Sequence, residues 1–178
     1  MTKEKRNGFY VELGCGDPYK DNNTSLLESE FGWTGLAIDI DKAISDVYNS
    51  SSRSNKCINV DALKFNYLEY FKNNNFPNII DFLQIDIDGH DNGKCLLALL
   101  ALPMITYRFS VIIIEHDLSQ NYKRSAMRDA QREILSSLGY KLIGQTLCED
   151  WWIDPNHIKE EIYGSDIFIG KPMIESEK

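Results

Sequence analysis

The stretch Phe9-Tyr10-Val11-Glu12-Leu13-Gly14-Cys15-Gly16-Asp17 joins an apolar strand to a turn bracketed by two glycines. Gly14 and Gly16 can adopt backbone angles that other residues disfavour, and they have no side chain to keep a ligand away from the main chain. Glu12 lies inside the predicted strand, where an unpaired carboxylate would be costly, so we expect it to meet a hydrogen-bond donor. The pattern is typical of nucleotide-binding turns, although Gly-x-Gly also occurs in ordinary turns.

Outward from this turn, short apolar runs alternate with amphipathic stretches, which predicts an α/β fold. The predicted strands are Phe9 to Leu13, Gly35 to Ile40, Lys56 to Val60, Ile79 to Ile87, Ser110 to Ile114, Tyr140 to Leu147 and Asp166 to Gly170. Helical patterns follow each of the first five strands and are missing between the last two. This order indicates a doubly wound, mostly parallel sheet with an antiparallel pair at its edge.

Two connecting segments have a distinctive composition. The serine-rich run from Asn49 to Asn55 predicts an exposed, mobile loop. The segment from Cys148 to Ser165 contains Trp151 and Trp152, and we predict a long loop that covers a site. Its tryptophans would form either an apolar or sugar-stacking lid or part of the core.

Composition narrows the class of protein. A chain of 178 residues with 43% hydrophobic content suits one domain with a sizeable core, and its net charge of -8 disfavours nucleic acid as a partner. The four cysteines show no Cys-x-x-Cys pairing, which predicts reduced thiols and argues against a zinc site. A charged amino terminus and the absence of a long apolar run favour a cytoplasmic protein without a membrane segment.

Acidic residues end each of the five predicted parallel strands: Glu12 with Asp17, Asp39 with Asp41, Asp61, Asp86 with Asp88, and Glu115 with Asp117. Ligands of open α/β sheets bind just outside the carboxyl ends of the strands, so these acids predict a site there. Asp is also a common strand terminator and helix cap, which is the alternative explanation.

The spacing narrows the ligand to a nucleoside. Asp39 follows Gly14 by 25 positions, close to the distance expected for a carboxylate that binds ribose hydroxyls. Tyr19 stands where the third glycine of Gly-x-Gly-x-x-Gly would be, and this disfavours a pyrophosphate dinucleotide. A nucleoside without phosphates, such as S-adenosylmethionine, fits the looser turn.

The chain resembles the FkbM-type family of class I S-adenosylmethionine-dependent methyltransferases. The resemblance rests on Val11 to Gly16, the pair Asn23-Thr24, Gly32 to Asp39, Leu83 to Asp91, and Ile113-Ile114-Glu115. It implies one methyltransferase domain over residues 1–178, with a core of about residues 8–170. It also implies a Rossmann-like, three-layer α/β/α fold, in which a seven-stranded sheet is mostly parallel and its last strand antiparallel.

The resemblance also implies the cofactor contacts. Gly14 and Gly16 would lie against the methionyl part, Asp39 would bind the ribose, and Asp61 with Ala62 would lie beside the adenine. Asp86 would face either the cofactor's amino group or the acceptor. The complete expected set is Glu12, Gly14, Cys15, Gly16, Asp39, Ile40, Asp61, Ala62 and Asp86.

The predicted reaction is methylation of a hydroxyl group on a carbohydrate or another small acceptor, and the expected catalytic residues are His116, Asp86 and Glu115. His116 is the first candidate for the base, because it lies at the end of the fifth strand between Glu115 and Asp117, and histidine is the most common general base. The alternative is a His that caps the next helix or hydrogen-bonds a neighbour. A second hypothesis adds a Mg or Mn ion, bound by some of Asp86, Asp88, His90, Asp91, Glu115 and His116. A third is a non-catalytic nucleoside- or partner-binding domain.

Overall fold

The computed structural model describes residues 5–87, 93–116 and 125–158. Strands and helices alternate along most of this length, as the periodicity predicts. In chain order the elements are β1 (Phe9–Leu13), α1 (Ser25–Phe31), β2 (Thr34–Asp39), α2 (Lys42–Ser50), β3 (Cys57–Asn59), α3 (Tyr67–Asn73), β4 (Ile79–Ile85), α4 (Lys94–Ala101), β5 (Arg108–Glu115), α5 (Ser125–Ser137), β6 (Lys141–Gln145) and β7 (Glu149–Ile153).

One seven-stranded sheet contains all of these strands, in the order β3-β2-β1-β4-β5-β7-β6. β1 pairs in parallel with both β2 and β4, and the pairs β2–β3 and β4–β5 are also parallel. β7 runs antiparallel to its two neighbours, β5 and β6. From β1 the chain adds β2 and β3 on one side, and it then returns to add β4 and β5 on the other side. The boundary between β1 and β4 is therefore the switch point, where such sheets bind ligands. The predicted fold class is confirmed.

Alternate residues of the strands face two apolar layers. Val11 and Leu13 of β1 belong to the larger core cluster, to which three helices contribute buried side chains: Phe71 of α3, Leu99 of α4 and Leu135 of α5. Tyr10 faces the opposite layer, where Leu27 of α1 packs. The sheet is therefore covered by helices on both faces. None of the helices that the structure describes is long and apolar enough to cross a membrane.

Strand β7 corrects the prediction of a long loop from Cys148 to Ser165. Residues Glu149–Ile153 form a strand between β5 and β6, whereas the predicted strand Asp166 to Gly170 lies outside the described residues. Trp151 and Trp152 are neighbours in this strand and face opposite sides of the sheet. Trp152 is 2% exposed in the larger core cluster, and Trp151 packs beside the smaller one. Because apolar residues face both layers, β7 lacks the alternation that identifies a half-exposed strand.

Candidate functional site

A cleft of about 850 Å³ opens where β1, β2, β3 and β4 end, beside the switch point. Its size is that of a small-molecule site. The lining contains every residue expected to contact a cofactor: Glu12, Gly14, Cys15, Gly16, Asp39, Ile40, Asp61, Ala62 and Asp86. It also contains residues that the sequence did not assign to the cofactor: Asp17, Lys20, Asp21, Ile38, Asp41, Ile44, Leu63, Gln84, Ile87 and Lys94.

The two glycines of the turn have different constraints. Gly14 has φ +81°, and a Cβ there would lie 1.8 Å from the carbonyl oxygen of Asp86, so the turn passes the end of β4 with no room for a side chain. Gly16 has φ +55°, and no described atom lies within 4 Å of the position its Cβ would take. Gly14 is therefore required by packing against protein, whereas Gly16 leaves open space beside the main chain.

Asp39 is anchored to the glycine turn. Asp39 is the last residue of β2 and is 8% exposed. Oδ2 accepts a hydrogen bond from the backbone N–H of Gly16 at 3.2 Å, and Oδ1 accepts one from the N–H of Asp41 at 2.9 Å. A carboxylate has about four lone-pair sites, so Asp39 can still accept hydrogen bonds from ligand hydroxyl groups.

Asp61 and Ala62 line the cleft just after β3. The Oδ1 atom of Asp61 accepts a hydrogen bond from the backbone N–H of Leu63 at 3.0 Å, and this bond holds the pKa of Asp61 below its ordinary value. The hydroxyl of Tyr67 donates to the carbonyl oxygen of Ala62 at 2.7 Å. Both hydrogen bonds hold in place the loop after β3, which we expect beside the adenine.

Glu12 is a buried carboxylate in the lining of the cleft. It is 1% exposed, and its Oε2 accepts a hydrogen bond from the hydroxyl of Thr24 at 2.9 Å. Burial raises the pKa of Glu12 to about 7, although the Thr24 hydrogen bond and the charge of Arg53 both lower it. The donor that we expected for Glu12 is thus the Thr24 hydroxyl, at the start of α1.

Arg53 was missed by the sequence reasoning, which predicted an exposed, mobile loop from Asn49 to Asn55. The structure buries this side chain to 5% exposure and places Asn49 and Ser50 in the last turn of α2. Its Nε donates to Glu28 Oε2 at 3.0 Å. The composition of the segment hid this role, because serine and asparagine around the arginine indicate a solvated loop. The only signal was one long cationic side chain among small polar ones.

Gln84 and Lys94 add polar groups on the β4 side of the cleft. Gln84 is the register partner of Glu12 across the β1–β4 pair, and its Oε1 accepts a hydrogen bond from Asn23 Nδ2 at 2.8 Å. Lys94 is the first residue of α4. Gln84 was missed because it lies inside an apolar strand, where a single amide gives no distinctive pattern.

Cys15 and Cys57 form a buried thiol pair beside the turn. Their Sγ atoms are 3.2 Å apart, and each residue is 4% exposed. The hydrogen bond from Cys15 to Cys57 raises the pKa of the Cys15 thiol and lowers that of Cys57. Neither forms a disulfide in the structure, and the same holds for Cys95 and Cys148.

His116 and Glu115 are not part of the cleft lining. The His116 side chain is 1% exposed, and its Nε2 lies 3.6 Å from Asp150 Oδ1. Burial opposes ionisation of Asp150, but two hydrogen bonds from Arg132, together with the His116 imidazole nearby, more than offset it and lower the pKa of Asp150. His116 therefore lies beside Asp150 and outside the cleft lining. Glu115 accepts a hydrogen bond at its carbonyl oxygen from Gln131 Nε2 at 3.2 Å.

The predicted metal ligands are not brought together by the described part of the chain. Asp86 lines the cleft, whereas His116 contacts Asp150. Three other predicted ligands, Asp88, His90 and Asp91, lie outside the described residues, as does the strand-end acid Asp117. Within residues 5–87, 93–116 and 125–158, no group of three or more His, Cys, Asp or Glu side chains could hold a metal ion.

Comparison with known proteins identifies a family. The sequence profile of the Methyltransferase FkbM domain matches residues 2–142, which span β1 to the start of β6. No curated protein matches the chain.

Three solved structures are similar to this one in fold. A TehB-like SAM-dependent methyltransferase from Corynebacterium glutamicum is 11% identical, with a TM-score of 0.53 over 84% of this chain and 81% of its own. The plantazolicin methyltransferase BpumL in complex with SAH is 13% identical, with a TM-score of 0.53 over 86% and 78%. Fibrillarin from Aeropyrum pernix, with natively bound S-adenosyl-L-methionine, is 10% identical, with a TM-score of 0.52 over 84% and 68%.

Proposed function

Because the chain belongs to the FkbM methyltransferase domain family, we propose that it transfers the methyl group of S-adenosylmethionine to a hydroxyl group of a carbohydrate or another small hydroxylated molecule. The observation that carries the proposal is the cleft at the switch point. Its lining unites the glycine turn with carboxylates from the ends of β1, β2 and β4 and from the loop after β3. This arrangement suits a ligand that contains both a ribose and a cationic amino acid part.

In the proposed complex each part of the cofactor meets a different strand end. Asp39 binds the ribose hydroxyl groups, since its carboxylate is held in the lining by the N–H groups of Gly16 and Asp41. Ala62 lies against the adenine. Glu12 faces the cationic methionyl end, beyond the glycine turn.

Charge in the cleft supports a cofactor without phosphates. The acidic lining residues are Glu12, Asp17, Asp21, Asp39, Asp41, Asp61 and Asp86, and the basic ones are Lys20 and Lys94. A wall with this excess of carboxylates complements cations and repels phosphate groups. S-adenosylmethionine carries a sulfonium and an ammonium group and has no phosphate.

When bound, S-adenosylmethionine supplies the electrophilic methyl group. Methyl transfer is an in-line displacement, so the protein must orient the acceptor hydroxyl and accept its proton. We place Asp86 in this role, because it follows β4 directly and lines the cleft. His116 does not line the cleft, so we assign the base to Asp86 rather than to His116, the first candidate from the sequence.

Calorimetry with S-adenosylhomocysteine (SAH) tests the cofactor site. The wild-type protein should bind SAH, and Asp39→Ala should bind on the order of 10- to 100-fold more weakly, because hydrogen bonds to a charged group are lost. Asp46→Asn is the matched control, since Asp46 is exposed on α2 and pairs with Lys42 outside the cleft. Failure of the wild-type protein to bind SAH would overturn the proposal.

Methyl transfer from labelled S-adenosylmethionine to a panel of sugars and polyols tests the reaction. Asp86→Asn should lower kcat by about 10²-fold or more, with little change in SAH affinity. Equal losses in kcat and affinity would assign Asp86 to the cofactor instead. SAH binding without transfer to any hydroxyl acceptor would favour the non-catalytic binding domain. Turnover that stops in EDTA and returns with Mg would favour the metal-assisted alternative.

A further inference from the structure

Arg53 lies outside the cleft, yet it contacts the segment that forms one of the cleft walls. We infer that Arg53 is a positioning residue for the cofactor site: through Thr24 it acts on the Glu12 carboxylate, and through Pro18 and Asn22 it holds the loop between the glycine turn and α1. The inference rests on the proposed function, because it concerns how this chain prepares Glu12 to receive the cationic end of the cofactor.

The contacts of Arg53 converge on the loop from Asp17 to Thr24. Nη1 donates to the carbonyl oxygen of Pro18 at 2.8 Å and to Asn22 Oδ1 at 3.1 Å. Nη2 donates to Thr24 Oγ1 at 2.8 Å and to the hydroxyl of Tyr10 at 3.3 Å. A planar guanidinium presents five donors in a fixed geometry, so these contacts set the orientation of the loop as well as its distance from Arg53.

A buried guanidinium needs a counter-ion, and Glu28 of α1 provides it. Glu28 Oε2 accepts hydrogen bonds from Arg53 Nε at 3.0 Å and from Asn55 Nδ2 at 2.8 Å. Its Oε1 accepts one from the backbone N–H of Ser54. Burial would raise the pKa of Glu28, but the bonds from Asn55 and Ser54 and the charge of Arg53 lower it. The pair is therefore ionised at neutral pH.

Thr24 transmits the effect of Arg53 to Glu12. A threonine hydroxyl has a single proton, and Thr24 Oγ1 lies 2.9 Å from Glu12 Oε2 and 3.1 Å from Asn22 Oδ1. The Asn22 oxygen already accepts N–H groups from Thr24, Ser25 and Arg53. The Thr24 proton therefore points to Glu12, while its lone pair accepts from Arg53. This arrangement favours the ionised form of Glu12, the form that attracts an ammonium group.

Several other titratable groups surround Glu12. They are Tyr10 on β1, Cys15 in the turn, Tyr48 on α2 and Cys57 on β3. Burial raises the pKa of both tyrosines, and the hydrogen bond to Cys57 raises that of Cys15, so these three stay neutral from pH 5.5 to 8. The pKa of Cys57 is lowered, so Cys57→Ser serves as a control for its titration.

The test is SAH affinity measured by calorimetry between pH 5.5 and 8. Wild-type affinity should fall by up to about tenfold per pH unit as Glu12 takes up a proton. In Arg53→Met the midpoint of this fall should move upward by about one pH unit, because a nearby cation no longer stabilises the carboxylate. Arg53→Lys keeps the charge and should keep the midpoint, and Glu12→Gln should abolish the pH-dependent step. Arg128→Met, which removes a pair with Asp129 on α5 outside the cleft, should match the wild type.

The outcomes separate positioning from simple stabilisation. A lower Tm alone, with the midpoint unchanged in Arg53→Met, would overturn the inference and leave the proposed function intact. A wild-type protein that does not bind SAH would overturn both. If circular dichroism shows that Arg53→Met is unfolded, Thr24→Val replaces it in the test. The Thr24 side chain makes no capping hydrogen bond to α1, so the variant should fold. Loss of the Thr24 hydroxyl should move the midpoint upward, as expected for Arg53→Met. An unchanged midpoint in Thr24→Val would overturn the inference.

Discussion

Replacing Glu12 by Gln should stabilise the protein, and the gain should grow as the pH rises. Burial raises the pKa of Glu12 from its ordinary 4.5 to about 7 in the folded protein. Between these values the folded protein holds a proton that the unfolded chain has released. The contribution of Glu12 to stability is therefore fully present below pH 4.5 and is lost as the pH rises to about 7.

The magnitude follows from the size of the shift. One pKa unit corresponds to about 1.4 kcal/mol, so a shift from 4.5 to about 7 destabilises the protein by about 3 kcal/mol above pH 7. At pH 5.5 only about 1.4 kcal/mol of this loss is present. Gln accepts the same hydrogen bond from Thr24 and does not ionise. The free energy of unfolding, variant minus wild type, should thus rise by about 2 kcal/mol from pH 5.5 to 8.5.

Urea unfolding followed by tryptophan fluorescence at several pH values measures this difference. Subtracting the wild type at each pH cancels the acid sensitivity of groups with lowered pKa values, such as Asp150 and Asp154. Glu133→Gln, at an exposed position of α5, is the matched control and should show no trend. A constant difference for Glu12→Gln from pH 5.5 to 8.5 would mean that Glu12 titrates normally, and the reasoning would fail.

Gly14→Ala should cost more than about 3 kcal/mol of unfolding free energy, because its methyl group overlaps the Asp86 carbonyl oxygen. Gly16→Ala should lower the unfolding free energy by only about 1 kcal/mol and should mainly weaken SAH binding. Thermal melts and calorimetry compare the two glycine variants, and equal losses of stability in both would contradict this prediction. N-ethylmaleimide should modify exposed Cys148 well before the buried pair Cys15 and Cys57, which peptide mass spectrometry can follow. Equal rates for the three thiols in the native protein would refute their placement.

Much of the candidate site could be predicted because its residues carry local signals. The glycines of the turn and the acids after β1, β2, β3 and β4 are recognisable by composition and position, and parallel pairing brings such positions to one edge of a sheet. His116 has the same kind of local signal, yet its side chain contacts Asp150. The end of a strand fixes where a residue's backbone lies, but packing against β7 decides where the side chain points.

The sequence by itself determined the order of the elements from β1 to β6, the doubly wound sheet and the location of the cleft at the carboxyl ends of its strands, because hydrophobic period and glycine punctuation are local properties. Only the tertiary structure decided that Glu149–Ile153 is a strand and that Arg53 is buried. Both depend on partners distant in the chain: β5 for the strand, and Glu28 with the Asp17 to Thr24 loop for the arginine. A local pattern cannot predict that a charged residue is buried when the groups that compensate its desolvation cost lie 25 or more positions away in the sequence.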